Sequence, residues 1–156
     1  MRVTVRESVR LAARPETVFD FMASEPGFLS FRGWGPIPGL ARVEFEHGDY
    51  HVVGSRSRVT NTDGSTHREV VVECDRPLRF AVRIHDLSSP FRMLVHELDE
   101  RWQVVPEGPA SRLDRTFGFT LRSALYWPLS LVLAQGLFRV AVRRHHRLLA
   151  AYFAAG

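Results

Sequence analysis

Residues 100–122 read ERWQVVPEGPASRLDRTFGFTLR, and their pairing decides the fold. Two runs of alternating side chains flank EGPA (107–110), whose Gly and Pro supply turn chemistry between antiparallel strands. Pairing Pro106 with Ser111 across that turn sets Val104 opposite Leu113, Trp102 opposite Arg115, Glu100 opposite Phe117 and Leu98 opposite Phe119. One face of the hairpin then carries Leu98, Trp102, Val104, Leu113, Phe117 and Phe119, and the other carries Glu97, Asp99, Arg101, Gln103, Arg112 and Asp114. The first face is the buried one. Three polar residues fall on it: His96, Glu100 and Arg115.

Working upstream, the same period of two recurs in residues 39–47, 50–61, 65–74, 78–86 and 93–105, with HGD, TDG and DRP as intervening turns. Short turns make these neighbours antiparallel. The chain also begins with such a run, Val3 to Leu11. Between the first strand and the rest lie RPETVFDFM, with Pro15 and Glu16 in the first turn of a helix and a Val18, Phe21, Met22 stripe, and SEPGFLSF, with Ser24 as the cap of a second short helix. GWGPIPG (33–39) breaks both periods and is loop.

Downstream, SALYWPLSLVLAQGLFRVAVRRHH (123–146) opens one long helix that runs to the C-terminus. At 100° per residue, Trp127, Leu131, Ala134, Phe138, Ala141, Val142, His145, Leu149 and Tyr152 form the stripe that faces the sheet. Arg139, Arg143 and Arg147 run up the opposite side. The helix carries a second apolar face in its first half, Leu129, Val132, Leu133 and Leu137, which needs a cover: a homodimer partner, the short-helix segment, or a transient membrane contact. The uninterrupted apolar run from Leu129 to Leu137 is about 14 Å long, against a hydrocarbon core of about 30 Å. It is not read as a membrane anchor.

The resulting expectation is an α+β fold in a single domain, residues 1–156. A seven-stranded curved antiparallel sheet wraps around the long C-terminal helix, with two short helices after the first strand. The chain has 21 basic residues, all arginine, against 17 acidic ones, a net charge of +4. The arginines are spread evenly and interleaved with carboxylates, so the charge does not predict a nucleic-acid surface. The single Cys74 excludes an intramolecular disulfide, and the N-terminus lacks the apolar core of a signal peptide, so a cytoplasmic location is expected.

The first strand running into AARPETVFDFM, the VVGSRSRVTNTDG hairpin, VECDRPLRFAVRI, and ERWQVVPEGPASRLDRTFGFTLR before a final helix resemble the START-like (SRPBCC) superfamily, with its helix-grip fold, also called the polyketide cyclase/dehydrase and lipid-transport superfamily. The resemblance covers essentially the whole chain. It implies a deep, mostly apolar cavity between sheet and helix that takes a lipid, polyketide or other hydrophobic molecule, with catalysis only in some branches.

The residues then sort into roles. Trp102, Phe117 and Phe119 form the sheet wall of the expected cavity, Trp127, Leu131, Gln135 and Phe138 its helix wall, and Phe28, Phe31 and Trp34 its gate. Arg115 orients a ligand or pairs with Glu100, and could stack on Trp102. In a cyclase- or aromatase-type enzyme, Glu100, Arg115 or His96 would carry acid–base work. His145 stands inside the apolar stripe, as a satisfied core histidine or as a pocket residue. His51, His67 and His85 are assigned to solvent faces or strand ends. HELDE lacks the second histidine of a zincin, Ser55 and Ser57 have no His–Asp neighbours, and no cofactor or metal site is expected. A third reading is an interaction module acting through the oily back of the helix.

Overall fold

A computed structural model describes residues 1–156. The elements follow in the order β1 (Arg2–Leu11), α1 (Pro15–Met22), α2 (Glu25–Leu29), β2 (Gly33–Trp34), β3 (Ile37–Pro38), β4 (Leu40–His47), β5 (Arg56–Asn61), β6 (Thr66–Asp75), β7 (Arg79–His85), β8 (Val95–Glu107) and β9 (Ala110–Leu121). One continuous C-terminal helix follows, made of α3 (Trp127–Val132), a π-helical turn (Leu133–Phe138) and α4 (Arg139–Ala155). The seven long strands form one antiparallel sheet in the order β1-β9-β8-β7-β6-β5-β4, and β2 and β3 pair as a small separate ribbon.

The central hairpin has the register that its turn dictates: Pro106 faces Ser111, Trp102 faces Arg115 and Leu98 faces Phe119. Its inner face enters the larger apolar core, where Trp102, Val104 and Leu113 meet Leu11, Phe19, Phe80 and Leu149. A smaller core joins Val3, Val5, Phe117 and Leu121 to Ala134 and Val142 of the helix. Trp102 stacks on Phe80, with ring centres 4.9 Å apart. The stretch 50–61 is strand only from Arg56; residues before it form a turn between Gly48 and Gly54, both at positive φ, where a side chain is disfavoured.

Two local irregularities decide what faces inward. Between Val95 and Glu97 the register on β9 advances by one residue while β8 advances by two, so His96 is the extra residue of a bulge. It is thrown outward and exposed, and Val95 takes the inward place that strict alternation gives to His96. The second irregularity is the π-helical turn. Its i→i+5 bonding holds one residue more than an α-helical turn, so everything N-terminal to it is rotated by about one residue relative to a uniform 100° helix.

The effect is visible along the helix. Beyond the turn the expected stripe holds through Ala141, Val142, His145 and Leu149, although at the far end Phe153 is buried and Tyr152, 54% exposed, lies stacked on Phe21. Before the turn the stripe moves from Leu131 to Ser130 and gains Leu133. Trp127 is left exposed, and Leu131 packs beside the smaller core. Leu133 therefore belongs to the inner wall and not to the outer face, where Leu129 and Val132 are exposed. From Ala124 to Ala155 the helix is by length and composition long and apolar enough to cross a bilayer. Here its inner side, with Val142, His145, His146 and Leu149, is buried in the protein.

The helix also closes the open edge of β1. Gln135 Nε2 donates to the Thr4 carbonyl at 2.6 Å, and Arg139 and Arg143 both pair with Glu7. An edge strand presents unpaired backbone acceptors, and a side-chain amide from a covering helix satisfies one of them. Gln135 is thus committed to the edge and does not reach the cavity.

Ser24 caps α2 as its sequence predicts, accepting from the Gly27 amide at 3.2 Å. At Gly27 a Cβ would stand 1.8 Å from the Phe21 carbonyl oxygen, so α2 can lie this close to α1 only with glycine there. Gly27→Ala is expected to push α2 away from α1 and to cost about 1–3 kcal/mol, measured as a lowered urea midpoint.

Candidate functional site

Between the inner face of the sheet, the C-terminal helix and the α2–β3 segment lies a cavity of about 180 Å³ lined by 29 residues, 20 of them hydrophobic. Phe28 and Phe31 close it from the short-helix side, Trp102, Phe117 and Phe119 from the sheet, and Leu133, Ala134 and Phe138 from the helix. Phe138 sits edge-on to both Phe117 and Phe119, with ring centres 4.8 and 5.0 Å apart. Glu100 and Arg115 line it as expected. Trp34, Trp127, Leu131, Gln135 and His96 do not. Trp34 sits at the tip of the β2–β3 ribbon, exposed, and the other four are displaced by the helix phase, the β1 edge and the β8 bulge described above.

Two polar networks interrupt the apolar lining. In the first, Arg115, 4% exposed, donates from Nε and Nη2 to Glu100 Oε1 at 3.0 and 2.6 Å. Its guanidinium lies over the ring of Phe117 at 4.9 Å, not over Trp102. Nη1 donates to His145 Nδ1 at 2.8 Å. Because arginine has no acceptor, Nδ1 is unprotonated, and the ring proton sits on Nε2, which donates to Ser30 Oγ at 2.7 Å. Ser30 in turn donates to the Gly27 carbonyl. The chain of bonds ties the sheet, the C-terminal helix and α2 together.

The same geometry keeps His145 neutral. Burial and the adjacent charges of Arg115 and His146 push it from 6.5 down to about 2. His146, next along the helix and also buried, is pushed to about 3 by burial and by Arg115. His145 is both a satisfied core histidine and a cavity residue.

The second network lies on β5 and β6 and was not anticipated. Asn61, Ser65, His67 and Glu69 are all at least about nine-tenths buried, and Asn61, His67 and Glu69 line the cavity. His67, expected at a solvent face or a strand end, is the second residue of β6 but is buried. The signal was in the parity of β6: Val71 points inward, so Glu69 and His67, two and four residues earlier, must do so too. The run Val70, Val71, Val72 is apolar on both faces and hides that parity. The inward place of Ser130, a polar lining residue that the sequence reading also missed, follows from the π-helical turn.

No three His, Cys, Asp or Glu side chains converge as metal ligands. The site offers a mostly apolar, partly open volume with a carboxylate–arginine pair on one wall and a carboxylate–histidine pair on another.

Comparison with known proteins agrees with this architecture. No curated protein matches the sequence. Among solved structures, a crystal structure of Ara h 8.0201 covers the whole of both chains at 12% identity with a TM-score of 0.67. A Nitrosospira multiformis protein matches at 16% identity, covering 97% of this chain and 96% of its own, with a TM-score of 0.67. Norcoclaurine synthase from Thalictrum flavum, solved with dopamine and hydroxybenzaldehyde, matches at 13% identity over 96% of this chain and 87% of its own, with a TM-score of 0.65. At these identities the likeness is one of fold, the seven-stranded sheet gripping a long C-terminal helix. The model of the family described as polyketide cyclase/dehydrase and lipid transport matches residues 2–154, and the chain belongs to that family.

Proposed function

We propose that the protein binds one small hydrophobic molecule in the cavity between sheet and helix. The observation that carries this reading is a partly open cavity of about 180 Å³ walled by aromatic and aliphatic side chains. Pockets for drug-sized ligands run from roughly 300 to 1,000 Å³. The volume therefore suits a mono- or bicyclic molecule or a single short chain better than a diacyl lipid. Arg115 and Glu100 give the ligand a polar end to align against, and the aromatic walls take its body.

Trp102 lines the cavity, whereas Trp34 and Trp127 are exposed, which makes a clean test. In a Trp34→Phe, Trp127→Phe variant the remaining indole is buried. Titration with the neutral probe 1-N-phenylnaphthylamine should quench Trp102 emission saturably, at about one probe per chain. A linear, unsaturable response would overturn the reading.

Catalysis of the cyclase type is a second reading, supported by one observation. Glu100 engages Arg115 through Oε1 alone, so its second oxygen stays available to a bound molecule as a proton acceptor. The third reading, an interaction surface on the back of the helix, loses Leu133 to the cavity wall. The apolar surface that remains comprises Leu125, Leu129 and Val132, with Leu137 half-buried beside them. We assign to it any homodimer contact or transient membrane contact the protein makes.

A further inference from the structure

We infer that the β5–β6 wall of the cavity is an acceptor site for a cationic nitrogen, so that the ligand is an apolar molecule carrying a primary or secondary ammonium group; this rests on the cavity-binding reading above. The argument is a count of protons along the buried network. Ser65 Oγ donates its only proton to Asp63 Oδ1, so toward Asn61 it can only accept, and Asn61 Nδ2 donates to it at 3.0 Å. That fixes the orientation of the Asn61 amide. The second proton of the same nitrogen points to His67 Nδ1 at 3.3 Å, which must therefore be unprotonated. His67 is then the neutral ring with its proton on Nε2, donated to Glu69 Oε1 at 2.9 Å.

Every donor of this network is thus used, and its acceptors are not. Glu69 is 5% exposed, its only hydrogen-bond or ion-pair partner is His67, and its Oε2 is buried with no partner. Asn61 Oδ1, on the same wall, accepts from no donor of the chain once both protons of Nδ2 are committed. No arginine reaches Glu69; its neighbour Arg68 turns outward to Glu46. On the other wall the charges of Arg115 and Glu100 cancel. With His67 and His145 neutral, the cavity holds one carboxylate charge that nothing in the chain balances.

A buried carboxylate with one bare oxygen is costly in apolar surroundings, and the cost is relieved by a group that both donates and neutralises. A hydroxyl donates but leaves the charge. An ammonium nitrogen does both, and its remaining protons find Asn61 Oδ1.

The test compares two probes of the same shape, 1-naphthylmethylamine and 1-naphthalenemethanol, as displacers of 1-N-phenylnaphthylamine near neutral pH. The amine should displace the dye at a concentration lower by about tenfold or more. Glu69→Gln keeps the acceptor for His67 but presents an amide proton to the cavity, and should erase or reverse that preference. Equal displacement by both probes in the wild-type protein, or displacement by neither, overturns the inference and leaves the cavity reading standing; a dye that does not bind saturably overturns the two together. An amine preference that survives Glu69→Gln also overturns it. Should that variant not fold, long-range proton–nitrogen spectra of the wild-type protein decide: the amine, and not the alcohol, should shift the His67 Nε2 resonance while Nδ1 stays unprotonated. A histidine protonated at both nitrogens in the free protein would overturn the proton count itself.

Discussion

Replacing Arg115 by methionine is expected to lower the unfolding free energy by about 3–5 kcal/mol, the usual cost of removing one member of a buried pair. Arg115 hydrogen-bonds both Glu100 and His145, and it is almost wholly enclosed. Without it the Glu100 carboxylate stands beside an apolar cavity with no counter-charge, and His145 Nδ1 loses its donor. For a chain of this length the change corresponds to a fall of roughly 6–20 °C in melting temperature. Adding Glu100→Gln to Arg115→Met should recover part of the loss, because the stranded charge is then gone. A single variant as stable as the wild type would show that the guanidinium is dispensable to the fold.

Acid should destabilise the protein well above the range where carboxylates titrate. His145 and His146 take up protons in the folded state only near 2 and 3, whereas in the unfolded chain they do so near 6.5. Below about pH 6.5 the unfolded state therefore binds protons that the folded state refuses, and stability falls as pH falls. Each histidine contributes ~1.4 kcal/mol per pH unit once the unfolded ring is fully protonated, so the two together approach ~2.7 kcal/mol per unit and remove ~5 kcal/mol by about pH 4.5. Asp20, held below the usual aspartate value by its hydrogen bonds to Arg76, adds to this only once pH falls through 3.8. Urea midpoints across this range measure the slope. His146→Phe should roughly halve it; an unchanged slope would place the proton uptake elsewhere.

Much of the architecture was legible because it rests on alternation and on turns. The register of the β8–β9 hairpin follows from one loop, and with it the inward placement of Glu100, Trp102, Arg115, Phe117 and Phe119. The errors have two physical sources. One is the inserted residue, in β8 at His96 and in the helix at the π-helical turn, which changes the face of every residue on one side of it without leaving a mark in hydrophobicity. The other is composition that serves two faces at once: the valines of β6 concealed that His67 and Glu69 point inward, and Gln135, polar and near the cavity, was claimed by the β1 backbone.

The π-helical turn makes the helix wall of the cavity a matter of phase as much as of composition. Were the same residues wound as a uniform α-helix, the arginine half would keep its seat on the sheet and the first half would rotate by roughly a quarter turn. Leu131 and Trp127 would then face the ligand in place of Ser130 and Leu133, trading a hydroxyl for an indole. Loss of one residue within the turn, such as the exposed Gly136, would by contrast let it close as α-helix and leave Ser130 and Leu133 facing the cavity.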